Sequence, residues 1–195
     1  MVIDYIKIGR GADQPIGHRA AVAYLNQVLP PLWADAYPSS GGELLTVTTG
    51  GEEGAPGAVS TLFDLRSHSS KTEDRVVAVW GVSRAEPAST RDSSRMAGFL
   101  GGVWSTAYPG RDRGHFFAHT MGGGTDINLF PQLASVNRGG EWRRMERYAA
   151  EHPGTFCFIR PIYTDHSWTP ALLEYGIYKL PPADAFGFWG NVFAN

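Results

Sequence analysis

The sequence lacks the features that mark disulfide-bonded, membrane-spanning or broadly basic proteins. Its single cysteine, Cys157, cannot form a disulfide within the chain, so folding needs no oxidising compartment. No stretch approaches the ~20 apolar residues of a membrane span, and residues 1–11 are too short and polar for a signal peptide. We therefore expect no membrane partner and a soluble chain, either cytoplasmic or exported by a signal-independent route.

The chain also lacks an excess of positive charge. It has 17 basic and 19 acidic residues, for a net charge of −2 at pH 7. This balance argues against a surface coated for polyanion binding, but it leaves room for a local basic cleft.

The chain does contain enough apolar residues, 43% of 195, for one domain spanning residues 1–195. Alternating residues bounded by turn signals predict strands, and their order favours an antiparallel meander followed by a hairpin. We expect an α+β fold with a central antiparallel sheet. The predicted strands are residues 43–49, 59–66, 75–83, 155–163 and 172–180.

The two ends of the chain give further predictions. Residues 2–8 are predicted to form a short strand, and residues 19–28 an amphipathic helix that Pro30 and Pro31 stop. The tail, residues 181–195, is rich in aromatic side chains. Because exposed rings would leave a sticky patch, we expect it to fold back onto the sheet; a partner-binding tail is the alternative.

The strongest chemical signal lies in residues 112–119, which we predict to be a strand entering a hairpin turn at 121–126. In an extended segment, Arg113, His115, Phe117 and His119 would share one face. A neutral imidazole can accept a proton from water, and a guanidinium suits a phosphate group. Taken alone, however, His115 is more typical of a structural histidine.

A second block begins at Asn137 and continues into a predicted helix over residues 139–151. An isolated Asn at this place would be an ordinary helix N-cap. Three arginines lie off the apolar stripe of the helix and could face either solvent or a polyanion: Arg143, Arg144 and Arg147.

The two blocks together resemble a known family. The segments DRGH at 112–115, NLFPQ at 128–132 and VNRGGEWRRME at 136–146 are similar to the DNA/RNA non-specific endonucleases of the ββα-metal (His-Me finger) superfamily. The resemblance implies a ββα-metal motif at about residues 111–152 beside the central sheet. It also implies endonucleolytic hydrolysis of phosphodiester bonds in both DNA and RNA.

The resemblance implies roles for single residues. His115 would be the general base that activates water, and Arg113 would contact phosphate. Asn137 would be the one direct protein ligand of Mg²⁺, with Mn²⁺ as a substitute, and water and phosphate oxygens would complete the shell. Four more residues would bind substrate or support the site: Asn128, Gln132, His119 and Arg138. For His119, a hydrogen-bonded strand residue is the alternative.

Two assignments stay open between neighbours. The family's glutamate follows the metal-binding asparagine by eight residues, whereas Glu146 follows Asn137 by nine. On one continuous helix this offset would turn Glu146 away, and Glu141 would share the Asn137 face. We favour Glu146, because the surrounding residues keep the family's register. The family also needs an upstream arginine for the transition state, and we choose Arg91 over Arg84 and Arg95.

Two other functions remain as alternatives. The scaffold could be a catalytically inactive nucleic-acid-binding domain, or His115 and His119 could belong to a zinc-dependent hydrolase, for which no third ligand stands out. For the setting of a nuclease, we expect a toxin or effector paired with an inhibitor (immunity) protein, or else a nutritional or defence nuclease.

Overall fold

The computed structural model describes residues 3–12, 17–38, 43–65, 74–98, 104–180 and 187–195. Six antiparallel strands form one sheet in the order β1-β2-β3-β6-β7-β8, and β4 and β5 form a separate two-stranded ribbon. The predicted central antiparallel sheet is confirmed. The strands are β1 (Glu43–Thr49), β2 (Val59–Leu65), β3 (Arg75–Val82), β4 (Arg111–His115), β5 (Leu129–Leu133), β6 (Phe156–Ile162), β7 (Leu172–Lys179) and β8 (Gly187–Ala194).

All five strands predicted for the large sheet are present, with ends that differ by one residue or less among the described positions. Arg66, predicted as the end of the second strand, lies outside the described residues. Strand β3 is buried at all eight positions because both faces of the sheet are covered. The predicted hairpin is β6–β7, with Phe158 opposite Gly176.

One face of the sheet is covered by two helices, α1 (Tyr5–Ala12) and α2 (His18–Ala36). Leu25, Leu29 and Trp33 on α2 are fully buried. The Trp33 ring lies 5.4 Å from that of Trp80 in β3 and 5.1 Å from that of Phe158 in β6. This layer is an apolar core that fixes the sheet.

The predicted strand at residues 2–8 is wrong, since residues 5–12 are helical and Val2 lies outside the described part. Tyr5 and Ile8, one turn apart, pack on the helical core. Gly9 allows the close approach, because a Cβ there would lie 3.0 Å from the Tyr178 ring. Tertiary packing therefore overrides the local alternation.

The predicted stop at Pro30 and Pro31 is also wrong, because α2 continues through both prolines to Ala36. Proline inside a helix costs about 3 kcal/mol. Continuing the helix brings Trp33 into the core, where the indole N–H donates to the Tyr5 hydroxyl at 3.2 Å. Burial of a large side chain stabilises by a similar amount, about 2–3 kcal/mol.

The chain between β3 and β6 forms an insert that covers the other face of the sheet. Ser83 and Thr155 close its base, with the Ser83 N–H donating to the Thr155 carbonyl at 2.8 Å. Phe117, Phe130 and Trp142 anchor the insert in a second apolar cluster. Besides β4 and β5, it contains α3 (Ser93–Gly98), α4 (Trp104–Ala107), α5 (Ala134–Asn137) and α6 (Gly140–Glu151), with 3₁₀ turns at Ala88–Thr90, His119–Met121 and Asp126–Asn128.

The aromatic tail returns to the sheet as predicted, over the residues the structure describes. Strand β8 pairs with β7 along its length, and the Phe188 ring stacks on that of Tyr5 at 5.3 Å. Residues 181–186, which include the ring of Phe186, lie outside the described part. No helix within the described ranges is long and apolar enough to cross a bilayer.

Candidate active site

The β4–β5 ribbon brings the two sequence blocks together. The strands pair with His115 opposite Leu129 and Asp112 opposite Gln132. Gly114 is required by close packing, because a Cβ there would lie 2.2 Å from the Gln132 side-chain oxygen. Gln132 is fully buried, and among the described residues its amide has no hydrogen-bond partner. It supports β4 by packing and does not line the cavity.

The strand predicted over residues 112–119 ends earlier, at His115. The chain then turns, so that Phe117 enters the apolar core and His119 begins a 3₁₀ helix. The expected common face of four side chains therefore holds only for Arg113 and His115. Turn geometry rather than alternation returns His119 to the same cavity.

Asn128 holds this turn in place. Its side-chain oxygen accepts from the Phe117 N–H at 2.8 Å, and its NH₂ donates to the carbonyls of Phe117 at 2.7 Å and Gly124 at 2.8 Å. A buried asparagine with both ends satisfied fixes the backbone directly after His115. The expected supporting position of Asn128 agrees with this geometry.

A cavity of about 630 Å³ lies between the ribbon, α6 and the α3 segment. Most of the residues that the sequence singled out line it. Its walls are mainly polar and carry five arginines. The lining residues with ionisable or amide side chains are Arg91, Arg111, Asp112, Arg113, His115, His119, Asn137, Arg138, Arg143 and Glu146.

His115 is 8% exposed, and its Nε2 has no hydrogen-bond partner in the described part of the chain. Burial, with smaller effects from the positive charge of Arg91 and from the nearby His119, lowers the pKa of His115 to about 4. The imidazole is therefore neutral at pH 7. A neutral imidazole on a residue that lines a cavity can act as a proton acceptor.

His119 is tied to the loop that precedes Arg91. Its Nε2 lies 3.0 Å from the Thr90 hydroxyl and 3.3 Å from the Pro87 carbonyl. The alternative of a hydrogen-bonded structural histidine agrees with these contacts. The residue nevertheless lines the cavity, so its position also suits a supporting part in the site.

Asn137 ends α5 at the edge of the cavity, and its side-chain NH₂ donates to Asp112 at 2.9 Å. A carboxylate only accepts hydrogen bonds, so this contact assigns the two ends of the amide. Hydrogen bonds from Arg138, with a smaller effect from Asn137, hold the pKa of Asp112 below its usual range. The Asn137 oxygen is thereby left for another partner.

The helix geometry separates the two candidate glutamates. Helix α6 begins at Gly140, whose φ of 61° favours glycine, and not at Asn137. Glu146 therefore lines the cavity, where it accepts from the Trp142 indole at 2.9 Å and from Arg143. Glu141 instead accepts from the Trp189 indole at 3.0 Å, outside the cavity. Burial raises the pKa of Glu146, against the opposing effect of Arg143.

The candidate arginines also differ in whether they line the cavity. Arg91 lines the cavity, whereas Arg84 pairs with Glu86 and Arg95 does not contribute to the lining. The Arg113 guanidinium lies over the Trp104 ring at 4.7 Å, which fixes its position. Of the three helix arginines that could face a polyanion, only Arg143 reaches the cavity.

Sequence reasoning missed two residues of this arrangement. Asp112 was part of the motif but received no role, although it orients Asn137 and Arg138. Trp104 lies outside the motifs and supports Arg113. The only signal for Asp112 was its place beside Arg113; nothing local indicated Trp104.

The zinc-hydrolase alternative gains no support from the geometry. Over the described ranges, no group of three or more His, Cys, Asp or Glu side chains is placed to hold a metal ion. His115 and His119 therefore lack the third such ligand that a catalytic zinc site requires.

Comparison with protein families matches residues 70–177, more than half of the chain, to the DNA/RNA non-specific endonuclease family. The chain belongs to this family. Membership supports endonuclease activity on nucleic acids, and the matched region includes every lining residue of the cavity. A search of curated proteins found no match to the chain.

Proposed function

We propose that this family member is a Mg²⁺-dependent endonuclease that hydrolyses phosphodiester bonds of DNA and RNA without regard to the sugar. In this proposal β4, β5 and the α5–α6 segment are its ββα-metal motif. The observation that carries the proposal is the Asp112–Asn137 hydrogen bond of 2.9 Å. It occupies the NH₂ end of Asn137, so the amide oxygen is the end left to bind a cation at the cavity that a neutral His115 also lines.

The donor set of the cavity fits a hard cation that keeps most of its water. Asn137 would hold Mg²⁺, or Mn²⁺ in its place, through the amide oxygen. Each carboxylate oxygen of Glu146 can accept a further hydrogen bond and could therefore orient bound water. A metal ion bound here would act as a Lewis acid that stabilises negative charge on the scissile phosphate.

The chain's own residues would perform the proton transfer and the positioning. His115, which lines the cavity, accepts a proton from water, and the resulting hydroxide attacks phosphorus as the bond to the leaving oxygen breaks. The leaving oxygen takes up a proton from solvent water. Arg113 binds a non-bridging phosphate oxygen, since Trp104 holds its guanidinium toward the cavity. Arg91, exposed at the rim, stabilises the added charge of the transition state.

The proposal is tested by incubating supercoiled plasmid and a structured RNA with the protein in Mg²⁺, and again after chelation. Cleavage of both polymers in Mg²⁺ only is the expected result. Binding of both polymers without cleavage under any divalent ion would instead identify the inactive binding domain. The inhibitor partner expected for a toxin nuclease stays a prediction.

A further inference from the structure

A second group of cations lies outside the cavity, on the side of α6 that faces β8. Lys179 Nζ lies 4.9 Å from the centre of the Tyr148 ring and 5.9 Å from that of Trp189. The Arg144 guanidinium lies 5.5 Å from the Trp189 ring. We call this group, together with the exposed Arg147 next to it, the α6–β8 patch.

The rings of the patch fix its cations in place. Tyr148 stacks on His152 at 4.2 Å and meets Trp189 edge-on at 5.6 Å, so each ring is packed against a neighbour. A cation over a ring face gains about 0.5–1 kcal/mol at an exposed site. Lys179 is therefore positioned before any ligand arrives, which reduces the entropy lost on binding.

The charges of the patch are only partly neutralised. Arg144 pairs with Glu141, and Glu151 is the other nearby acid on the helix. Within the described residues, Arg147 and Lys179 make no salt bridge. Two cations without a salt bridge, beside a third that is paired, stand out on a chain with a net charge of −2, although Glu151 lies one helical turn after Arg147.

The patch is continuous with the cavity. Arg143 lines the cavity, and on a helix Arg147 lies one turn further along, rotated by about 40°. Arg144 lies about 100° from Arg143 in the same direction, toward Trp189. The positive side chains thus form a band around α6 from the cavity to the edge of the large sheet.

We propose that the α6–β8 patch binds the phosphate backbone of the substrate strand outside the cleaved bond, as an extended binding track. The inference rests on the proposed function for the strand's passage through the cavity. Several cations spaced along the surface of a weakly acidic chain suit a polymer of phosphates. Cations held over aromatic rings suit a ligand that is recognised through its phosphate backbone and not through its bases.

The test measures binding in chelator, so that it does not depend on cleavage. A fluorescein-labelled 30-nucleotide oligo(dT) is titrated with wild-type protein and with the double variant Arg147→Gln/Lys179→Gln at several salt concentrations. The matched control is Lys7→Gln/Arg19→Gln, which removes two exposed charges on the helical face of the sheet.

Loss of two phosphate contacts should lower the slope of log affinity against log salt by about 1.4, and the affinity at 0.1 M salt by about tenfold or more. The control pair should change neither. Because Arg147 is fully on the surface, Arg147→Gln alone should lower the slope by about 0.7 even if Lys179→Gln weakens folding. If the double variant and the control pair have the same slope of log affinity against log salt, the proposal is wrong. The α6–β8 patch would then be a binding surface for an acidic protein partner.

Failure of the nuclease proposal would look different. Mg²⁺-dependent hydrolysis of a small chromogenic diester, bis(p-nitrophenyl) phosphate, reports only on the cavity. The patch variant should hydrolyse it at the wild-type rate. If the wild type has no such activity yet loses oligonucleotide affinity through the patch substitutions, the track stands and the catalytic proposal fails.

Discussion

The two faces of the large sheet are covered by layers of opposite character. On one face, every buried residue of α2 is apolar. On the other, the insert between β3 and β6 buries seven polar side chains beside its apolar cluster: Ser83, His115, His119, Asn128, Gln132, Glu146 and Thr155. Since a buried polar group destabilises a fold unless it is hydrogen-bonded, the unpartnered Gln132 amide lowers the stability of the insert, as Trp80 Nε1 does in the core under α2.

This difference between the two layers indicates which of them contains reactive side chains. In the insert, His115 Nε2 and both amide atoms of Gln132 are buried without a hydrogen-bond partner among the described residues. His115 lines the cavity, as does Arg111, whose Nη1 is likewise buried without a partner, whereas Gln132 only packs against Gly114. Unsatisfied polar atoms on residues that line a cavity are typical of a site that binds a ligand.

The largest effect should come from His115→Ala. If His115 is the general base, cleavage of plasmid and RNA in Mg²⁺ should fall by about 10²–10⁴-fold. The melting temperature should change little, because the substitution removes a polar atom that is already unsatisfied. His166→Ala, which removes an exposed histidine, should cleave like the wild type. A His115→Ala protein that cleaves at the wild-type rate would contradict the assignment.

A substitution in the helical layer should lower the stability of the protein without lowering its cleavage rate. Leu25→Ala removes a fully buried side chain and should lower the free energy of unfolding by about 2–5 kcal/mol, measured by urea denaturation. Well below its melting temperature, this variant should keep the wild-type cleavage rate and Mg²⁺ requirement. A large rate loss in the fully folded variant would show that the two layers are coupled and would break the comparison.

Asn128→Ala tests a residue of the insert that should affect both stability and cleavage rate. The change leaves one N–H and two carbonyls of the turn unsatisfied, so stability should fall by about 2–3 kcal/mol. Because Asn128 supports the turn after His115, the rate should fall as well, while half-saturation by Mg²⁺ stays at the wild-type concentration. A raised Mg²⁺ requirement would instead place Asn128 in the metal site.

The smallest effect concerns pH. A pKa of about 4 for His115 means that kcat/KM should decline only as the pH falls through about 4, where the base becomes protonated. The positive charge of Arg91 helps to depress this pKa, so Arg91→Ala should move the acid limb to higher pH. If the acid limb of the Arg91→Ala variant moves to lower pH or does not move, the charge of Arg91 does not lower the pKa of His115.

Much of this architecture was accessible from sequence. Short runs of strand-forming residues bounded by turn signals, at 43–49 and 75–83, predicted β1 and β3, because these signals are local. The helix predicted over residues 139–151 is α6, which begins one residue later, at Gly140 with φ of 61°. Motif residues far apart in sequence were correctly expected in one place, since His115 and Asn137 line one cavity.

The rest depends on contacts that no local pattern reports. Helix α1 forms where Tyr5 and Ile8 meet a core that includes Phe158 and other residues more than a hundred positions away. Asp112 orients Asn137 across 25 positions, through a hydrogen bond that either residue could have made with solvent. The end of β4 at His115 follows from a turn that Asn128 holds.

The central claim is that Asn137 presents an amide oxygen to a divalent cation beside His115. The most direct measurement is the Mg²⁺ concentration that half-saturates plasmid cleavage by the wild type and by Asn137→Ala. Removal of a protein–metal contact should raise this concentration by at least about tenfold, the lower range seen when even supporting groups of a metal site are lost. If Asn137→Ala cleaves at the wild-type rate with the same Mg²⁺ dependence, the proposed metal site is wrong.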